Sequence, residues 1–460
     1  MTDERGPGES DRRLPAAEAL TAPSGKDGDD RPRISHAGSV ALQWLAMNAR
    51  RLVEIEDAQR RIYAAVSPLP SEVVSLGPAA LGRVLAEEIK ASERVPAFDG
   101  SAMDGYAVRA EDLATASAAG PVALRVVDES RAGLPASHAL ASGQAIAIST
   151  GAMLPSGTDA VVRIEDTARR GDRIQVSVAP GAGENIRRAG EDIRPGQTLM
   201  RSGATLGPAE LGVLASLAHA RVRCARRPRV AVVVSGDELL APDEPMRPGG
   251  VRDSSSFSIP ALTRCAGGEV LSTSTMRDDP QATRTAVAAA IDDVDVAVIC
   301  GGVSVGTHDH VRPALAELGA QEVFWGLALK PGRPAWFGTA GRTLVFGLPG
   351  NPVSAIVTFV LLVGPALRAL LGADDDRRRA TAVIDLDYTK PPGRAHAVRC
   401  RLRAGEDGWH AEPTGAQGSH ILTSMLGADA LAIVPSESTG VRAGERVEIE
   451  PLWSWVGAPP

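Results

Sequence analysis

The stretch Cys300–His310 reads CGGVSVGTHDH. It follows the apolar run VDVAVI, which has no helical period, and leads into RPALAEL, whose spacing predicts a helix. Glycine lets a main chain close on an anion through its N–H groups. Asp309 and the pair His308 and His310 add groups that suit a metal. The loop therefore reads as a phosphate cradle with a metal-reaching acid beside it. It is not a Walker A loop, because the Gly-Lys-Ser/Thr ending is missing. As plain chain chemistry it is a turn, with Asp309 an ordinary helix N-cap.

The same rhythm repeats on either side. RVAVVVSGDEL (Arg229–Leu239), EVLSTSTMRDD (Glu269–Asp279) and TLVFGLPGNP (Thr343–Pro352) are β-branched runs, each followed by a turn or an acid and then a helical pattern. Strands of Val, Ile and Ala alternating with helices predict a parallel sheet covered on both faces, over residues 226–372. Ligands of such sheets bind at the strands' carboxyl ends, where helix N-termini offer free N–H groups. Asp237, Glu238, Asp278, Asp279 and Asp309 all fall there. Separate carboxylates around a phosphate-sized loop suit Mg²⁺, which shares its remaining positions with phosphate and water. GLPGNPVSA, with Pro349, Gly350, Asn351 and Ser354 at a helix start, is a second cradle facing Gly301, Gly302, Ser304 and Gly306.

Outward from this domain, residues 1–38 are polar and aperiodic, so a disordered tail is expected. Val40–Arg60 has helical spacing, and the helix expected in LGPAELGVLASLAHA carries Pro208 near its first turn. Residues 39–86 and 181–225 read as one discontinuous linker domain. Short β runs over residues 87–180 (VALRVV, AIAIS, AVVRI) predict a β-rich module. After the linker ADDDRRRA, residues 380–455 read as a small β-barrel or sandwich. The apolar stretch Pro352–Leu371 contains Gly-Pro and Arg368, so a buried helix is expected, not a membrane span.

Composition excludes several classes. Aromatics are 3% of the 460 residues, too few for a stacking platform, and the formal charge of −7 argues against a general nucleic-acid or acidic-membrane binder. Cys224, Cys265, Cys300 and Cys400 are far apart, with no CxxC pair. With no secretory signal in view, a reducing cytoplasm is the expectation.

Taken in order, PAFDGSAMDGYAVR, AIAISTGAMLPSGTDAVVRIED, GENIRRAGEDI, SGDEL, CGGVSVGTHDH, LALKPGRP, GLPGNPVSA and GAQGSH resemble the molybdopterin molybdenumtransferases, the family of the bacterial MoeA proteins and the gephyrin E domain. The resemblance spans about Val40 to Leu452. It implies an α/β multidomain subunit with a central molybdopterin-binding domain of MoaB/MogA type, an elongated linker domain, a β-rich module and a C-terminal barrel. It implies a homodimer with a cleft lined by both subunits, served by a molybdopterin adenylyltransferase and by molybdoenzyme maturation partners. The reaction implied is Mg²⁺-assisted molybdenum insertion: adenylylated molybdopterin and molybdate give molybdenum cofactor and AMP.

By the same resemblance Asp99, Thr150, Glu238, Asp278 and Asp309 are catalytic, with Asp237 beside them. Glu238, Asp278 and Asp309 are the implied metal ligands. Lys330, Pro331, Arg333, Arg399 and Ser419 (followed by His420) are the molybdate contacts. Lys330 reads as the charge closing an apolar strand, FWGLALK. Many relatives carry lysine at the positions of Gly326 and Arg333, so Gly326→Lys should restore a cation here. Two other functions fit parts of the chain. One is a Mg²⁺-dependent nucleotide pyrophosphatase on the α/β domain; the other is a non-catalytic scaffold.

Overall fold

The structure is a computed structural model that describes residues 52–304, 306, 309–374 and 380–452. The expected tail, the segment 40–51 and His308 lie outside the described residues.

The central domain is a six-stranded sheet built from β1 (Arg229–Ser235), β2 (Glu269–Met276), β3 (Val296–Cys300), β4 (Gln321–Trp325), β5 (Trp336–Ala340) and β6 (Thr343–Leu348), in the order β2-β1-β3-β6-β5-β4. Helices α1 (Ser255–Cys265), α2 (Pro280–Ile291), α3 (Val311–Glu317) and α4 (Pro352–Thr358) accompany it. The neighbours β2, β1, β3 and β6 are parallel; β1, β3 and β6 are buried on both faces, as expected, while β2 is an exposed edge strand. The far edge departs from expectation, because β5 runs antiparallel to both β6 and β4. A short turn, Gly341-Arg342, separates β5 from β6, and no connection that short can cross to a parallel partner.

The apolar stretch after β6 is a core helix. By length and composition Pro352–Leu370 could cross a membrane, but 89% of its apolar window is buried inside the protein. Its middle, Phe359–Val363, widens into a π turn just before Pro365. Proline has no N–H to give Leu361, four residues back. The Leu361 carbonyl instead accepts a hydrogen bond from Gln59 Nε2 at 2.8 Å. Gln59 lies on the amphipathic helix Ile55–Ala65, whose residues Ile55, Ala58 and Ile62 face the same core. A lost backbone bond is thus replaced by a side chain 302 positions away.

The β-rich module is a mixed six-stranded sheet in the order Ala160–Arg163, Gly105–Val108, Gln144–Ile148, Val122–Ser130, Arg173–Val176, Thr167–Arg170. Gly105 fixes its register: a Cβ there would stand 1.9 Å from the Val162 carbonyl oxygen. Strands Ser71–Ser75 and Arg221–Ala225 pair antiparallel, which joins the chain before the module to the chain after it. The C-terminal strands close into a barrel. Ala395–Gly405 pairs with both Gly408–Pro413 and Ala430–Val434, and Ala380–Ile384 and Arg446–Pro451 complete the ring.

FWGLALK is not one strand. β4 ends at Trp325, and Gly326 turns the chain at φ +87°. Leu329–Lys330 then forms a separate two-residue strand, added in parallel to the barrel at Ala395 and His396. The same geometry removes the rationale for Gly326→Lys. Position 326 is left-handed, and a Cβ would meet Leu52 Cδ2 at 3.0 Å. Gly326→Lys should therefore cost about 1–3 kcal/mol of stability and leave molybdate affinity no higher. Denaturant unfolding and calorimetry check both parts. A fully stable variant that binds molybdate more tightly would contradict this reading of the turn.

Candidate functional site

Four loops leave the carboxyl ends of β1, β2, β3 and β6 side by side. At the end of β1, Ser235 donates its hydroxyl to Asp278 Oδ1 at 2.5 Å, and the Asp237 N–H points at Asp278 Oδ2 at 3.4 Å. Asp278, at the end of β2, is thereby clamped to the β1 loop. Glu238 folds back over Gly236: both carboxylate oxygens lie 2.8 Å from where a Cβ on Gly236 would stand. Asp237 and Glu238 are exposed on the rim.

The glycine pair after β3 is required by close approach. Gly301 (φ +92°) has the Ser235 carbonyl oxygen 2.9 Å from its missing Cβ, and Gly302 (φ +67°) has Val311 Cγ2 at 2.7 Å. The Gly301 N–H donates to the Leu348 carbonyl at 2.9 Å. Gly350 leans on the same spot, with its would-be Cβ 3.6 Å from the Gly301 Cα. The two glycine loops are thus in contact. Farther along, the Gly306 N–H donates to Asp309 Oδ2 at 2.6 Å, and Trp325 Nε1 on β4 holds the Val303 carbonyl at 2.9 Å. Ser304, Gly306 and Asn351 are exposed, Asp309 and His310 half-buried, and Pro349 buried. Ser354 is a correction. It is 3% exposed within α4 and cannot face a ligand on the rim.

Beside Asp237 opens a cleft of about 950 Å³, bounded by Arg247, Asp253, Ser256, Phe257 and Arg277. That is the size of a small-molecule site. Phe257 is 59% exposed, so an aromatic face is displayed to solvent. Asp253 is 8% exposed and accepts the Ser256 N–H at 3.0 Å. Burial, helped by this carboxylate, pushes the Cys300 thiol up to about 12, so that thiol is inert. Arg247, Asp253 and Phe257 were missed in the sequence reading. An acid followed by three serines and a helix, DSSSF, was the available signal.

The β-rich module supplies a second polar group. Asp99 accepts the Ala189 N–H at 2.8 Å and Arg188 at 2.8 Å, and these two hold its carboxyl below the usual carboxylate value. Thr150 donates its N–H and its hydroxyl to Asp104 Oδ1 at 2.7 and 3.1 Å. Asp104, which reads as a turn residue in the sequence, therefore positions Thr150. The Leu154 N–H to Asp99 carbonyl bond sets the two loops together.

The residues implied for molybdate divide into two groups. Arg399 is not a surface arginine: it is 0% exposed, and burial lowers its guanidinium pKa. Its Nε donates to Ser424 Oγ at 3.1 Å and an Nη to the Gly418 carbonyl at 3.2 Å, which holds the loop carrying half-buried Ser419. Lys330 is exposed and pairs in the ladder with His396. Side chains three residues apart on a strand leave on opposite faces, so His396 and Arg399 point apart, and Lys330 goes with His396. Pro331 is buried and Arg333 exposed. Among the described residues no three His, Cys, Asp or Glu side chains converge as a metal cage.

Three sequence profiles match in tandem. They are the MoeA N-terminal region (domain I and II) over residues 53–218, a probable molybdopterin binding domain over 231–369, and the MoeA C-terminal region (domain IV) over 381–452. The molybdopterin molybdenumtransferase of Haemophilus influenzae is 37% identical over 389 residues, covering 84% of this chain and 95% of its own. That of Bacillus subtilis is 34% identical over 408 residues, covering 88% and 95%. The crystal structure of the molybdopterin biosynthesis moeA protein from Pyrococcus horikoshii aligns at a TM-score of 0.74 and 31% identity, over 87% of this chain and 99% of its own. Matched over 84–88% of its length at such identity, the chain belongs to the MoeA family of molybdopterin molybdenumtransferases.

Proposed function

We propose that this protein inserts molybdenum into molybdopterin, taking adenylylated molybdopterin and molybdate and releasing AMP. The observation that carries this reading is two touching glycine loops beside the Ser235–Asp278 clamp at the strand ends, with Glu238 folded over Gly236, Asp309 bonded to the Gly306 N–H, and an open cleft beside Asp237. A pyrophosphate joining a pterin to a nucleoside needs backbone N–H donors, nearby charge neutralisation and room for an organic group. The glycine loops would offer the donors, the cleft the room together with Arg247 and Arg277, and the acids would neutralise charge only through a divalent ion they hold.

The donor set fits Mg²⁺ brought in with phosphate. Glu238 and Asp309 are the carboxylates that would hold it, with Asp278 oriented by Ser235 behind them. An ion that takes few protein carboxylates and keeps phosphate and water needs no three-residue cage. Bound there, Mg²⁺ would offset the charge developing on the departing phosphate. The chain's own part would be to fix the pyrophosphate through the Gly302 and Gly350 backbone, the Gly301 N–H being held by the Leu348 carbonyl, so that reacting groups meet in one geometry. Lys330 and Arg333 would attract the molybdate dianion, while the Arg399-supported Ser419 loop lies off the other face of the barrel strand.

The protein would work in the cytoplasm, receiving substrate from a molybdopterin adenylyltransferase and passing product to molybdoenzyme maturation partners. It would act as a homodimer, with Asp99 and Thr150 of one subunit completing the rim of the other.

Glu238→Gln and Asp309→Asn should each lower molybdate-dependent AMP release by about 100-fold or more while melting normally. Near-normal turnover in either variant would remove that residue from the site. AMP release by the wild-type protein that ignores molybdate would favour a nucleotide pyrophosphatase instead. Mixing inactive Asp99→Asn with inactive Asp309→Asn protein should recover about a quarter of wild-type activity, since mixed dimers hold one intact composite site. Mixtures that stay inactive after subunit exchange would place both residues in one subunit's site. Lys330→Ala should raise the molybdate requirement about tenfold, a loss of ~1.4 kcal/mol, and leave the pterin requirement unchanged. Steady-state titration of each substrate checks this, and an equal rise for both would refute it.

A further inference from the structure

His396 stands near the start of the barrel strand Ala395–Gly405 and is 3% exposed. Its Nδ1 lies 2.9 Å from the Tyr388 hydroxyl, which fixes the ring. Its Nε2 is shielded from solvent and has no hydrogen-bond partner among the described residues. Buried polar side-chain atoms are nearly always partnered, so an isolated one needs an explanation.

The charges around this ring supply one. Burial above all, and then the charges of Lys330, Lys390 and Arg394, push the imidazole down to about 4. Lys390 is 5% exposed and spends its ammonium on the carbonyls of Arg394, Ser436 and Ser438. The acids acting in this corner are Glu437 and Glu54, and they act on Lys390. Lys330 faces the same side as His396 through the ladder pairing, with its side chain exposed. The corner is therefore a fixed ring, three cations and one unsatisfied nitrogen. That combination suits a compact anion that accepts hydrogen bonds.

We infer that His396 Nε2 and Lys330 Nζ form a subsite for a tetrahedral oxyanion, with His396 giving an N–H to one oxygen while Lys330 supplies charge. This rests on the reading of Lys330 as a molybdate contact and adds His396 to it. A dianion placed beside the ring offsets the field of the three cations and favours the imidazolium. Binding then takes up protons, and affinity falls as pH rises through the bound-state value.

Calorimetric titration of molybdate into the intact protein near pH ~6, in two buffers of different ionisation enthalpy, reads the proton count directly. The wild type should take up protons on binding. His396→Gln should abolish that uptake and weaken affinity about fivefold to tenfold. Phosphate titrated in the same way separates the sources: weaker binding assigns the subsite to molybdate, and equal binding with equal uptake assigns it to tetrahedral oxyanions in general. If Lys330→Ala weakens binding and His396→Gln changes neither affinity nor uptake, the inference about His396 fails while the reading of Lys330 stands. If neither variant matters, both fail. A readout independent of variant folding is nitrogen NMR of the histidine-labelled wild type, which has 8 histidines. One imidazole should shift on adding molybdate, and an unchanged spectrum would overturn the subsite.

Discussion

The close approach of Gly301 to Ser235 is the constraint on which the site depends. With the Ser235 carbonyl 2.9 Å from a would-be Cβ and φ at +92°, no other residue fits there without moving β1 from β3. Because the chain passes so near, the β1 loop can reach Asp278 on β2, and the β6 loop can rest Gly350 against Gly301. Acids from loops far apart in sequence then share a rim with backbone donors. A side chain at position 301 would separate the acids from the donors.

The rim depends in turn on a stiff floor. β1, β3 and β6 are buried along their length, and the helix after β6 closes the core with its proline-adjacent carbonyl tied down by Gln59. Close packing transmits position, so the ends of these strands, from which the loops start, are held in place. The barrel is attached through Leu329–Lys330, which leaves the central sheet at Gly326 and joins the barrel edge. That crossing places Lys330 at the junction of the two bodies and opposite His396.

The parallel part of the central sheet was legible because β1, β2 and β3 are rich in β-branched residues and lead into a glycine or an acid, even though β2 is mostly exposed. The antiparallel edge was not. QEVFW and WFGTA carry no mark of direction, which depends only on the length of the Gly341-Arg342 turn. FWGLALK looked continuous because Gly326 interrupts apolar residues with backbone geometry, not with polarity. The placement of Asp237, Glu238, Asp278 and Asp309 after the strand ends was legible, since strand ends can be read from pattern. The burial of Ser354 and Arg399, the role of Asp104 and the display of Phe257 depend on tertiary contacts that no local pattern carries. His396 sits in an ordinary strand, HAVRC, and only its unpartnered nitrogen and cationic neighbours distinguish it.

On the proposed chemistry Glu238 and Asp309 would hold a divalent ion against a pyrophosphate seated on the Gly301–Gly302 and Gly350 loops. Crystals grown with Mn²⁺ in place of Mg²⁺ and with an adenylylated ligand would locate that ion by its anomalous scattering. One strong peak is expected within coordination distance of carboxylate oxygens from both Glu238 and Asp309, beside the phosphates. A peak seated instead on Asp99 and Asp104 in the β-rich module, with the strand-end rim empty, would contradict it.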